Sequence, residues 1–244
     1  MKLICLPCAG ASANMYFRWK KLLPNSTELV TLELAGRGTR LSDDYIDDFD
    51  KQVDDLYHRY FERASWIHEP YILFGHSMGA LLCYGILKKI EALNESLRNK
   101  KESLPSAMIV SACEAPSVRK PDRFRDTSKK KLIGDLRSKN GTPDIIFEHE
   151  ELLNMAVDCL KADYKVCGSF QYQQDQRLST IPLHVFHGLD DDITLKSLES
   201  WQNETTTPIV IDTFEGDHFY LKTNQSEERM ITKVSDLLSF YQTF

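Results

Sequence analysis

The pentapeptide Gly75-His76-Ser77-Met78-Gly79 has the G-x-S-x-G spacing of a nucleophile elbow, a strand-to-helix turn that lifts a serine hydroxyl clear of the backbone. Glycine is needed at both ends because side chains at 75 and 79 would meet neighbouring backbone in so tight a turn. A serine hydroxyl becomes a nucleophile only beside a base, and the base needs a group that orients it. After an elbow of this kind the acid follows in the chain, and then the histidine. His218, in Phe214-Glu-Gly-Asp-His218-Phe-Tyr220, is late enough to be that base. Three aspartates compete for the acid, Asp190, Asp191 and Asp192. The G-x-x-D spacing from Gly188 favours Asp191, with Asp190 the alternative. His58, His68 and His149 lie upstream of the acid, His184 and His187 read as packed or loop residues, and His76 is expected to point away at the elbow. An acyl-transfer intermediate also needs two backbone N–H donors for its oxyanion. Met78 supplies one, and Ala9, in the small-residue segment Pro7-Cys8-Ala9-Gly10-Ala11-Ser12, supplies the other.

These residues are far apart in the chain and need a frame that brings several loops to one rim. Short apolar runs at 3–6, 29–34, 71–74, 107–110, 183–186 and 209–214 read as strands buried on both faces. Helical patterns lie between them at about 49–61, 77–97, 197–201 and 226–241; in the last, Met230, Val234, Leu237, Leu238 and Tyr241 share one face. The alternation predicts an α/β fold with a mostly parallel central sheet flanked by helices. Ser77 and His218, and whichever aspartate pairs with it, all follow strands, which places them at one rim of such a sheet. From about 115 to 177 the rhythm breaks, with helical pieces at 127–138, 144–147 and 151–166 and no strand pattern. A helical insertion at that point reads as a lid, so a single domain over 1–244 with a lid at about 115–177 is expected.

Composition bounds the alternatives. The chain has 244 residues, 42% hydrophobic, 27% charged and 10% aromatic, which is enough apolar material for one substantial core. No apolar run approaches the roughly 18 residues of a membrane-spanning helix. A formal net charge of −6 argues against a general grip on nucleic acid. The first apolar run is cut off by Pro7, well short of the roughly seven to fifteen residues of a signal-peptide core. Cysteines 5, 8, 83, 113, 159 and 167 are scattered, and Cys5 of the Cys5-Leu-Pro-Cys8 pair lies inside a strand rather than at a helix N-terminus. They read as reduced structural thiols, and a cytoplasmic location is expected. The acidic cluster at 190–192 lacks the glycine and terminal glutamate of a calcium loop, and no H-E-x-x-H is present; neither metal nor cofactor is expected.

Several motifs taken together resemble the type II thioesterases, stand-alone α/β-hydrolases that accompany nonribosomal peptide and polyketide synthases. Pro7-Cys-Ala-Gly-Ala-Ser12 with Tyr16 is similar to the family's P-x-A-G-[GA]-S…Y opening, and Leu34-Ala-Gly-Arg37-Gly-x-Arg40 to its L-P-G-R-x-x-R turn. Gly75–Gly79 matches its G-H-S-M-G, and Phe214–Phe219 its F-x-G-x-H-F. Gly141-Thr-Pro143, Glu151-Leu152 and Leu160-Lys-Ala-Asp163-Tyr164 resemble its lid signatures. Ala35 departs from the usual proline, and Asp217 stands where glycine is common, so that loop must tolerate a side chain. The resemblance implies an α/β-hydrolase fold and a substrate acylated on the phosphopantetheine thiol of a carrier protein. Ser77, His218 and Asp191 would then serve as nucleophile, base and acid. Release of wrong or stalled acyl units in nonribosomal peptide or polyketide synthesis is the implied role.

Between 117 and 139 lie nine basic and three acidic residues. Carrier proteins of the implied kind are acidic, so Lys129, Lys130 and Lys131 are candidates for docking one; a merely solvated helix face is the plain alternative. The segment 43–55, with seven aspartates and one lysine, suggests no role beyond solubility. A monomer is expected, with no nucleic-acid or membrane partner. The competing functions are a medium-chain fatty acyl thioesterase, a carboxylesterase of small esters, and a degenerate hydrolase that only binds partners. The last is disfavoured by the intact serine, acid and histidine set.

Overall fold

All six apolar runs become strands of one sheet. They are β1 (Lys2–Leu6), β2 (Glu28–Thr31), β3 (Tyr71–His76), β4 (Ala107–Ser111), β5 (Leu183–Gly188) and β6 (Val210–Phe214). The computed structural model describes residues 1–62, 69–96, 102–138, 142–174 and 179–242. His68, Leu97, Gly141 and the far end of the expected insertion lie outside them. The sheet order is β2-β1-β3-β4-β5-β6, and every neighbouring pair is parallel. The four central strands are buried at every residue, whereas the edge strands β2 and β6 are partly exposed, so the prediction of two-sided burial holds only inside the sheet.

Period-two alternation sorts the strand side chains between two apolar layers. Leu73 and Tyr71 face the layer built with α1 (Phe49–Tyr60) and α2 (Met78–Ser96). Ile72 and Phe74 face the opposite layer, built with α7 (Asn224–Gln242) and a 3-10 segment, Ala13–Lys21. That segment was not expected from the sequence. Its buried residues Tyr16 and Trp19 stand three apart, which suits three residues per turn and leaves no 3.6-residue stripe to detect. Both rings pack edge-on against Phe74, and the Tyr16 hydroxyl donates to the Leu6 carbonyl at 2.7 Å.

Between β4 and β5 the chain forms α3 (Lys129–Ser138), α4 (Ile145–Glu148) and α5 (Glu150–Ser169), close to the three expected helices, with short 3-10 turns before them. A further short helix, α6 (Leu195–Glu199), follows β5. The long helix α5 belongs to two clusters. Its C-terminal Val166 and Cys167 join the core beside α1, while Val157 and Leu160 pack with Leu132 and Leu136 of α3 in a separate apolar cluster. All six cysteines are free and buried, and burial pushes the Cys8 and Cys159 thiols up to about 12. Among the described residues, no helix is long and apolar enough to cross a membrane.

Candidate active site

Strand register sets where the chemistry can happen. Leu6 pairs with Gly75, His76 with Ser111, Ser111 with Phe186, and Gly188 with Phe214. The C-terminal ends of five strands therefore lie along one rim, and the loops that leave them carry Ala9, Ser77, Asp191 and His218.

Ser77 sits between β3 and α2 with φ of 54°, one of two non-glycine residues in the left-handed region among those described. That conformation costs on the order of 1–3 kcal/mol and persists only where surrounding contacts impose it. They are present here. The Ser77 amide donates to the Ser111 carbonyl at 2.8 Å, and the Ser77 carbonyl accepts from Ala80 at 3.0 Å. A Cβ at Gly79 would lie 2.2 Å from the Leu6 carbonyl oxygen, and one at Gly75 would lie 2.3 Å from the Ala80 nitrogen. The G-x-S-x-G spacing is thus a packing requirement of the elbow as well as a chemical signature.

His218 follows β6, and its Nδ1 lies 2.8 Å from Asp191 Oδ2; the carboxylate is almost wholly buried and the imidazole 16% exposed. Two backbone bonds bring these loops together: Leu189 donates to the Phe214 carbonyl at 2.8 Å, and Asp190 to the Gly216 carbonyl at 2.9 Å. With its amide committed to the neighbouring loop, Asp190 keeps its side chain exposed, and Asp191 takes the contact with the histidine. Asp217 causes no strain. The positive φ falls on Gly216, and the Asp217 carboxylate accepts from the Phe219 amide at 2.8 Å.

His76 does not simply turn away from the site. As the sixth residue of β3 it shares a face with Ile72 and Phe74 and lies beneath the rim, its ring centroid 5.2 Å from that of His218. Its Nδ1 is 2.8 Å from Ser111 Oγ, which is itself 2.5 Å from the Tyr220 hydroxyl. Burial lowers its pKa well below the ordinary histidine value, so the ring is neutral. Burial likewise lowers His184 and His187, which sit in β5 as packed residues, whereas His58 and His149 are exposed. The Ala9 and Met78 amides donate to no acceptor among the described residues, a condition that an oxyanion site requires. Those residues also contain no group of three or more His, Cys, Asp or Glu placed to hold a metal ion.

The sequence matches the family model described as Thioesterase domain over residues 1–238. The chain belongs to the thioesterase domain family. It is 30% identical to the gramicidin S biosynthesis protein GrsT of Aneurinibacillus migulanus, a match covering 93% of this chain and 85% of that protein. Among solved structures it resembles ClbQ from the colibactin NRPS/PKS pathway, with a TM-score of 0.87 and 26% identity over 99% of this chain and 98% of that one. It also resembles the type II thioesterase BorB from the borrelidin biosynthetic cluster, with a TM-score of 0.80 and 30% identity over 96% and 91% of the two chains. The fold is accordingly that of the α/β-hydrolase thioesterases. Two groups of this thioesterase-domain chain gain a place that sequence reasoning did not give them: the His76–Ser111–Tyr220 chain beneath His218, and a buried Arg37–Asp163 pair. The first could have been found by continuing the alternation of β3 to its end. The second joins residues 126 positions apart, and no local pattern signals it.

Proposed function

We propose that this thioesterase-domain protein hydrolyses acyl groups from the phosphopantetheine thiol of carrier-protein domains, freeing aberrant or stalled units in nonribosomal peptide or polyketide synthesis. The observation that carries the reading is the Asp191–His218 hydrogen bond on the rim that holds the strained Ser77 elbow. With Nδ1 committed to Asp191, the other ring nitrogen of His218 is the atom left for the serine proton. In this mechanism Ser77 Oγ attacks the thioester carbonyl while His218 Nε2 takes its proton. The amides of Ala9 and Met78 receive the oxyanion. Collapse breaks the C–S bond, and the pantetheine sulfur leaves with the proton from His218. Water then attacks the acyl-serine with His218 again as base, and the free acid departs as Ser77 recovers its proton. Asp191 holds the imidazole tautomer throughout, and only side chains, backbone and water take part.

In this reading residues 115–177 form a lid on a single domain, and its exposed Lys129, Lys130 and Lys131 steer the acidic carrier. The protein acts as a monomer in the cytoplasm. The test is mass spectrometry of a panel of acyl-phosphopantetheinyl carrier proteins, incubated with the protein or with its Ser77→Ala variant. The expected result is loss of the acyl mass only with the unsubstituted protein. Deacylation by Ser77→Ala would refute the mechanism. Turnover of simple esters with all carriers left acylated would refute the substrate and favour a small-ester carboxylesterase.

A further inference from the structure

A buried ion pair lies at the seam between the insertion and the first turn of the chain. Arg37 follows β2 and Asp163 lies on α5; their side chains are 7% and 1% exposed. They meet in two hydrogen bonds, Nη1 to Oδ2 at 2.6 Å and Nη2 to Oδ1 at 2.7 Å. The pair reaches beyond itself. Asp163 Oδ2 also accepts from the Gly10 amide at 2.7 Å, and Arg37 Nη1 also donates to the Ala11 carbonyl at 3.2 Å.

Both of those contacts fall on one turn. The Cys8 carbonyl accepts from the Ala11 amide at 3.1 Å, and Gly10 has φ of 75°, the pattern of a type II turn with glycine in third place. Of the turn's amides, Ala11 is held by Cys8 and Gly10 by Asp163; that of Ala9 has no acceptor among the described residues. The Cys8 carbonyl and the Ala9 N–H share one peptide plane and point in opposite directions. Fixing the turn at Cys8, Gly10 and Ala11 therefore fixes the direction of the Ala9 N–H. Leu160, three residues before Asp163 on α5, packs over the same place. A Cβ at Gly10 would lie 3.4 Å from its Cδ1, and Ala9 packs against the insertion's own apolar cluster.

We infer that Asp163 and Arg37 are positioning residues for oxyanion binding: the inserted helix α5, through Asp163, sets the turn that presents the Ala9 amide. Seating of the insertion and assembly of the oxyanion site are then one event. This rests on the reading of Ser77 as nucleophile and Ala9 as donor. A buried ion pair offers little net stability over well-packed apolar side chains. Directional control of the turn gives this one a reason to exist.

The test compares Asp163→Ala with Asp163→Asn on a small acyl-pantetheine thioester. It adds binding of a trifluoromethyl ketone, which forms a serine hemiketal oxyanion, and of an unreactive amide analogue. The alanine variant is expected to lose about 10- to 100-fold in kcat with KM within about twofold. It should lose a similar factor in affinity for the ketone and keep its affinity for the amide. Asparagine retains an oxygen for the Gly10 amide and should recover most of kcat, although its Tm falls as far as that of alanine. An alanine variant with kcat within about twofold of the unsubstituted protein overturns the inference. So does an equal loss of kcat in both variants, or an equal loss of affinity for both analogues. If Asp163→Ala fails to fold, Arg37→Lys carries the test: weaker ketone binding at unchanged amide binding supports the inference, and unchanged ketone binding overturns it. Ser77→Ala separates the levels. Activity in that variant overturns the catalytic reading itself, whereas an inactive Ser77→Ala beside an unaffected Asp163→Ala overturns only the role of the pair.

Discussion

Replacing His76 by asparagine should change how the stability of this protein depends on pH. The ring is fully buried between β3 and the His218 loop, and burial holds its pKa well below 6.5. Below about pH 6.5 the unfolded chain binds a proton at this residue and the native protein does not, so stability falls as pH falls. For one such site the loss between about pH 8 and about pH 5.5 is on the order of 1 kcal/mol. Further acidification removes about 1.4 kcal/mol per pH unit until the native ring itself titrates. His184 and His187 act in the same direction, because burial lowers both. They remain in the variant, as do all the carboxylates, so the difference between the two proteins isolates His76. Asparagine keeps a polar atom near the position of Nδ1 for Ser111, and the cavity it leaves lowers stability at every pH without adding a slope. Urea unfolding followed by tryptophan fluorescence at several values between about pH 8 and about pH 5.5 gives both curves. The unsubstituted protein should lose on the order of 1 kcal/mol more than His76→Asn over that range. Parallel curves would refute the argument.

Two other substitutions address the site and its partner. Asp191→Asn should lower kcat by about four orders of magnitude with KM little changed, because the wrong imidazole tautomer is then held, while Asp190→Asn stays within about twofold; steady-state kinetics on one acyl thioester decides between the two aspartates. Lys129/Lys130/Lys131→Glu should raise KM for acyl-carrier substrates and spare small acyl thioesters. Lys129 and Lys131 already engage Asn154 and Asp135, so salt dependence of KM should accompany the effect, and equal loss on both substrate types would remove the docking role.

The strands were legible because a parallel sheet buried on both faces leaves unbroken apolar runs, and β1, β3, β4 and β5 are of that kind. The boundaries of β2 were less so. Leu32 and Leu34 stay buried after the strand has ended, so apolarity outlasts the strand. That Asp191 rather than Asp190 meets His218 agrees with the spacing to Gly188, and its physical cause is the pair of backbone bonds from Leu189 and Asp190 to the neighbouring loop. Arg37 and Asp163 were visible only as parts of motifs. What they do depends on a turn formed at the start of the chain and a helix formed much later, and pairing across such a distance is written in no local pattern.

The buried thiols make the seam between insertion and sheet measurable. Cys8 belongs to the turn and Cys159 to α5, and native packing keeps both from the thiolate form that reacts. Modification by an external reagent must wait for a fluctuation that uncovers them, so in fast exchange its rate equals the intrinsic rate multiplied by an opening equilibrium constant. Peptide mapping that resolves Cys8 and Cys159 from the core thiols of Cys5 in β1 and Cys83 in α2 would separate a local parting of the seam from global unfolding. The protein thus carries its own clock for that motion, with no introduced label.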